Sequence, residues 1–196
     1  MKKPLKIVLA VLATLVIGGV AGYSTAVAAY ESMYTRGTLR NGQWATNLAI
    51  GSSEASIYTR ANVALHGLLA LAKSEAVYYQ CTGDDKGESL RSNCDYRIEG
   101  RGLDTRWWSL TLYGQDDFLI PNEQNRYSFN TNTVKLNTDG TFVIYLSRLP
   151  REGNWLPSAE KDQEVSLTLR LYNPGQSVYD NPGGIELPRI IREGCK

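Results

Sequence analysis

An uncharged, mostly apolar run from Ile7 to Ala29, entered through Met1-Lys2-Lys3-Pro4-Leu5-Lys6, constrains this chain more than any other feature. As a helix those 23 residues span about 34 Å, enough for a bilayer core of about 30 Å. Three lysines precede the run and Glu31 closely follows it. The positive-inside rule then holds the N-terminus in the cytoplasm and sends the rest of the chain across. The reading is a single-pass inner-membrane anchor over residues 1–29, with the C-terminal body in the periplasm. A cleaved signal peptide is the alternative. Ala26-Val27-Ala28 offers an A-x-A site, the densest apolar part (Ile7 to Ile17) is short, and cleavage would release the body into the periplasm. Gly18, Gly19, Ala21 and Gly22 extend the run beyond signal-peptide length and suit an anchor.

About 167 residues follow Ala29, one ordinary domain with room for a real core. With 21 basic and 20 acidic side chains the net charge is +1. There is no basic stripe of the kind that binds nucleic acid, so no nucleic-acid partner is expected. Twelve Tyr, four Trp and 18 Gly suit a strand-rich fold with many turns.

Residues 30–51 read as an exposed connector and a docking strand anchored by Trp44. A helix then opens at Ser52-Ser53-Glu54, with Ser53 as cap, and Ile57, Ala61, Ala64, Leu65 and Leu68 repeat at helical spacing to form an apolar face. Gly67 is placed to end it. Strands follow at Val77–Thr82, Cys94–Glu99, Trp107–Tyr113, Arg126–Phe129, Val134–Leu136, Phe142–Ser147, Val165–Tyr172 and near Ile190. Asp139-Gly140 carries a hairpin signal. About eight antiparallel strands and one early helix over residues 52–196 predict a mainly β domain, an antiparallel sandwich of jelly-roll-like form behind an N-terminal transmembrane helix.

The chemistry-bearing residues are sparse. His66 is the lone histidine, so a Ser-His-Asp triad or a histidine metal cluster would rest on it alone, and a helix histidine at a surface is the simpler reading. Asp84-Asp85 and Asp116-Asp117 read as solvated turn residues rather than a glycosidase pair. Asn137-Thr138-Asp139-Gly140 lacks the closing Glu of a calcium loop. No phosphate-loop or dinucleotide fingerprint is present. Neither a metal nor a cofactor is expected. Cys81, Cys94 and Cys195 contain no CxxC unit, which argues against zinc or thiol-redox chemistry. One disulfide and one leftover thiol fit an oxidising compartment. Cys81 and Cys94 can close a hairpin, or Cys195 can tie the chain end to Cys94.

Arginines among aromatic residues are the best ligand candidates. Arg170 lies between Leu169 and Leu171 but points to the other face, with Tyr172 beside it. Arg126 begins a strand next to Tyr127, and Arg60 rides the helix near Tyr58. Forked hydrogen bonding and stacking would let such a set grip a carboxylate, a phosphate or a sugar. Trp155 reads as a loop residue, a stacking platform or a plug for the end of the sandwich. Of Trp107 and Trp108, one ring belongs to the core and the other lines a groove.

The motifs Arg106-Trp107-Trp108-Ser109-Leu110-Thr111-Leu112-Tyr113, Phe118-Leu119-Ile120-Pro121-Asn122, Asn125-Arg126-Tyr127-Ser128, Asn154-Trp155-Leu156-Pro157 and Leu169-Arg170-Leu171-Tyr172-Asn173-Pro174 occur in order. Through them the chain resembles the bacterial family called domain of unknown function 1214. Asn41-Gly42-Gln43-Trp44, Tyr58-Thr59-Arg60-Ala61 and Ile191-Arg192-Glu193-Gly194-Cys195 fit its short, membrane-segment-bearing branch. The resemblance implies an envelope protein with a jelly-roll-like domain, and it favours a Cys94–Cys195 disulfide over one using Cys81. It brings no activity and no catalytic residues. Two functions remain. One is a membrane-anchored binding or accessory module for a small molecule, a glycan or an envelope protein. The other is a periplasmic hydrolase or lyase using Arg, Tyr and a carboxylate, with a tyrosine made acidic by a neighbouring arginine.

Overall fold

A computed structural model describes residues 2–34 and 37–196. Thr35 and Arg36, inside the expected connector, lie outside the described residues. The described residues are mainly β, with two open sheets and three helices among them. The first helix, α1 (Lys2–Tyr34), contains one span, Pro4–Tyr30, long and apolar enough to cross a membrane, and none of it is buried in the rest of the chain.

The larger sheet has six strands in the order β1 (Leu39–Asn41), β2 (Trp44–Thr46), β3 (Ala76–Cys81), β9 (Val165–Pro174), β5 (Thr105–Gly114) and β6 (Ser128–Asn130), all antiparallel. The smaller sheet orders β10 (Arg189–Cys195), β4 (Cys94–Gly100), β7 (Phe142–Ser147) and β8 (Asn154–Pro157). Its last pair is parallel, so the expectation of antiparallel pairing throughout is corrected there. Val134–Leu136, expected as a strand, is irregular, and Asn154–Pro157, expected as a loop, is a strand.

Alternation sorts the central strands. Val165, Leu167, Leu169 and Leu171 of β9 are buried with Trp108, Leu110 and Leu112 of β5 and Val77, Tyr79 and Cys81 of β3. Tyr96 and Ile98 of β4, and Phe142, Ile144 and Leu146 of β7, belong to the same cluster, so both sheets feed one core. Trp108 stacks on Phe142 with ring centroids 5.1 Å apart, joining the sheets. Trp44 anchors β2 as expected, with its indole N–H donating to the Pro188 carbonyl at 2.8 Å. A disulfide joins Cys94 to Cys195, which face each other across β4 and β10, and Cys81 is free and buried.

The helix α2 (Ile57–Leu65) begins later than expected. Ser56, not Ser53, caps it, accepting from the Thr59 N–H at 3.1 Å. Gly67 ends it in the left-handed region, φ 60°. The expected apolar face is split: Ile57 and Leu65 face outward and Leu68 packs inward, whereas Thr59 and Asn62 are buried. Gly51 precedes α2 at φ 75°, and a Cβ there would collide with the Leu71 carbonyl, so only glycine fits where the two ends of the α2 segment meet. A short third helix, α3 (Gln176–Asp180), fills the turn between Pro174-Gly175 and Pro182.

Candidate functional site

Period-two alternation sends every second residue of β9, β3 and β5 away from the core, onto the outer face of the six-stranded sheet. Register then groups them. Arg170 pairs with Tyr78 on one side and Ser109 on the other, Thr168 lies between Gln80 and Thr111, and Ser166 faces Tyr113. The segment after α2 folds over this face, where Leu68 and Ala70 pack with Tyr172 against buried Ala76 and Tyr78. The Tyr78 hydroxyl accepts the Leu71 N–H at 2.8 Å and pins the segment down. Between segment and sheet lies a cleft of about 320 Å³, walled by Arg170, Tyr172, Tyr78, Tyr113, Gln80, Thr168, Ser166, His66 and Asp117, with Leu69 and Leu71 in its lining.

Arg170 is the central cation of this cleft. Its guanidinium donates to the Tyr113 hydroxyl at 2.8 Å and to the Thr111 hydroxyl at 3.3 Å, and lies 5.5 Å from the Tyr113 ring centroid. Both acceptors are neutral, and among the described residues no carboxylate forms an ion pair with Arg170. A guanidinium carries five N–H donors, so these two bonds leave donors for an anion. The aromatic walls suit a ligand with a flat or apolar portion. Trp107 extends the same face, edge-on to Tyr172 at 5.2 Å, while Trp108 is the core ring of the pair.

His66 sits at the C-cap of α2, and its Nδ1 lies 2.7 Å from Asp117 Oδ2. Asp117 adopts φ 61° in the turn after β5, and the contact fastens that turn to the end of α2. The cleft brings together the arginine and tyrosine of the enzyme reading, Arg170 on Tyr113, while Asp117, also in its lining, bonds to His66. Among the described residues no three His, Cys, Asp or Glu side chains gather into a metal site.

The remaining expected candidates lie elsewhere. Arg126 donates to the Trp155 carbonyl at 2.9 Å and covers Phe129 at 5.7 Å. Tyr127 donates to Asn125 at 3.3 Å. Trp155 is buried on β8, its indole N–H held by the Ser147 carbonyl at 3.0 Å, which leaves it no free face as a stacking platform. Arg60 donates to the Ala55 and Ser53 carbonyls at 3.1 and 2.7 Å. The cleft thus gathers Arg170 and Tyr172 from the expected set and adds Tyr78, Gln80, Tyr113 and the His66–Asp117 pair. Tyr113 and Trp107 occupy the same phase of the β5 alternation, the one sequence signal that groups them.

Of the acidic pair expected as solvated turn residues, Asp85 lies exposed in the turn but Asp84 does not. Asp84 is 1% exposed, with Oδ2 2.8 Å from Arg192 Nε, while Asp85 holds Arg189 at 2.9 Å. Both carboxylates fasten β10. Asp116, by contrast, caps its own turn, accepting the Phe118 N–H at 3.2 Å.

Residues 75–176 match the family described as "Protein of unknown function (DUF1214)", a stretch that runs from β3 to the start of α3 and includes Arg170. No curated protein matches the chain. Among solved structures, the VPA0106 protein of Vibrio parahaemolyticus aligns with a TM-score of 0.60 and 26% identity, over 72% of this chain and 36% of that one. An uncharacterised protein from Burkholderia cenocepacia aligns with a TM-score of 0.43 and 18% identity, over 62% of this chain and 30% of the other. The chain therefore spans about a third of the length of these solved proteins.

Proposed function

The chain belongs to the family described as "Protein of unknown function (DUF1214)", and from that premise we propose that it is a membrane-anchored envelope protein whose periplasmic body binds a small anionic ligand in the Arg170 cleft. The body is read as a jelly-roll-like sandwich, with the two open sheets as its layers. The apolar span in α1 and a disulfide suited to an oxidising compartment support the location. The observation that carries the binding reading is Arg170 itself: a guanidinium in a cleft, bonded only to neutral hydroxyls, with three tyrosine rings around it. The ligand class is a carboxylate or phosphate joined to an aromatic or apolar group. A binding module is preferred to a hydrolase or lyase because the Arg170 guanidinium keeps donors for an anion beyond its two hydroxyl partners.

Thermal melting of the full chain in detergent, with phenylphosphate and phenylacetate as probes, tests this reading. A ligand present at a hundred times its dissociation constant adds about 2.7 kcal/mol, which raises the midpoint of a chain this size by about 5–10 °C. The shift is expected with the wild-type chain and not with Arg170→Gln, whose own midpoint should stay near the wild-type value. Equal shifts in both, or none in either, would count against the Arg170 cleft as the site.

A further inference from the structure

The helix α2 is amphipathic in the inverted sense. At 3.6 residues per turn, Ile57, Ala61, Ala64 and Leu65 share one stripe, and Thr59 and Asn62 lie on the opposite side. The polar side is the buried one: Thr59 and Asn62 are 3% and 7% exposed, while Ile57 and Leu65 are 75% and 73% exposed. Leu69, just beyond the helix, is 93% exposed, and Phe118 is 73% exposed. The His66–Asp117 contact at 2.7 Å holds the Phe118 turn beside the C-terminal end of α2. Soluble surfaces carry single exposed apolar residues freely, but a stripe of large ones on one element and its neighbour marks an interaction surface.

What meets this surface follows from where α2 is held. Asn62 Nδ2 donates to the Tyr30 hydroxyl at 2.8 Å, and Tyr30 is the last residue of the candidate membrane span. Tyrosines at the ends of such spans settle at the level of the lipid headgroups. This bond therefore sets the middle of α2 at the membrane–water boundary, where an amphipathic helix lying in the plane buries its apolar side among headgroups and upper acyl chains. The one arginine of α2, Arg60, is already engaged by the Ser53 and Ala55 carbonyls, so the contact is apolar and not an attraction to lipid charge.

We propose that the outward stripe of α2, with Leu69 and Phe118, seats on the bilayer that α1 crosses, so that the body lies against the membrane instead of hanging from a loose tether. The proposal rests on α1 being a retained membrane anchor. Its occupant is the lipid surface, and a second copy of the chain is the competing outcome.

The test uses the full chain in phosphatidylcholine nanodiscs with and without brominated acyl chains. An environment-sensitive fluorophore is attached in turn to Val11→Cys, Leu65→Cys, Leu69→Cys, Phe118→Cys and Thr138→Cys, each in a Cys81→Ala background. Quenching by the brominated lipid is expected at Val11, in the membrane span, and at least half as strong at Leu65, Leu69 and Phe118, with none at Thr138 in the exposed turn before β7. It should persist when bromine is carried by neutral lipid alone and the salt is raised to molar concentration. Quenching at Val11 with Leu65, Leu69 and Phe118 behaving like Thr138 would overturn the proposal and leave the anchor standing. A blue shift at those three positions without quenching would overturn it in favour of a second copy. Loss of quenching at Val11 as well would remove the anchor reading and this proposal together.

Discussion

Cys81 and Tyr79 lie on the same inward phase of β3, and burial raises both, the thiol from 9.0 to about 12 and the phenol from 10.0 to about 12. The Cys81 thiol donates to the Gly83 carbonyl at 2.9 Å, and the Tyr79 hydroxyl donates to the Pro182 carbonyl at 2.9 Å. Both groups favour their neutral forms when folded. Below about pH 8 they are neutral in folded and unfolded chains alike and add no pH dependence. Above it the unfolded chain releases protons that the folded chain retains, so stability falls as the pH rises from about 8 towards 12. Urea unfolding at pH 8 and pH 10.5 should record that fall. The double variant Cys81→Ala, Tyr79→Phe should lose distinctly less between the two pH values, although it is less stable at both because of the vacated volume. An equal loss in variant and wild type would contradict this account. The same buried thiol should resist iodoacetamide until the chain is unfolded.

At the scale of elements, β10 depends on partners far away in sequence. Asp84 and Asp85 hold Arg192 and Arg189, and Cys94 is bonded to Cys195 across a separation of 101 residues. Closing so long a loop restricts the unfolded chain, and removing such a bond typically costs about 2–5 kcal/mol. The paired substitution Cys94→Ser, Cys195→Ser should lower the unfolding free energy by that amount in urea titration. No change would mean that the pairing with β4, the burial of Ile190 and the arginine–aspartate contacts hold the strand without the disulfide. These distant contacts also explain why Asp84 resembles a loop acid in sequence, since nothing within the turn announces an arginine 108 positions later. The β5 and β9 strands were legible, because clean alternation over seven and eight residues fixes both type and buried face. The α2 stripe was legible as a helix but not as an outward one, because periodicity finds a stripe without saying what it meets. The strand β8 and the helix α3 were not legible, being four and five residues long with no room for a period.

Across the whole molecule, a central six-stranded sheet presents one face to a shared core and the other to a cleft; the segment after α2 covers that cleft, and α1 reaches α2 through Tyr30 and Asn62. Arg170 and Tyr172 could be picked out from sequence because they sit off-phase in an apolar strand. Their partners could not, because Tyr78, Tyr113 and His66 become neighbours only once strand order is known. Native mass spectrometry of the full chain released from nanodiscs made with its own membrane lipids measures binding at Arg170. Wild-type protein should carry a non-covalent adduct of defined mass, and Arg170→Gln should lose it, while Arg126→Gln, outside the cleft, should keep it. An adduct retained equally by Arg170→Gln, or a bare wild-type chain, would contradict the account.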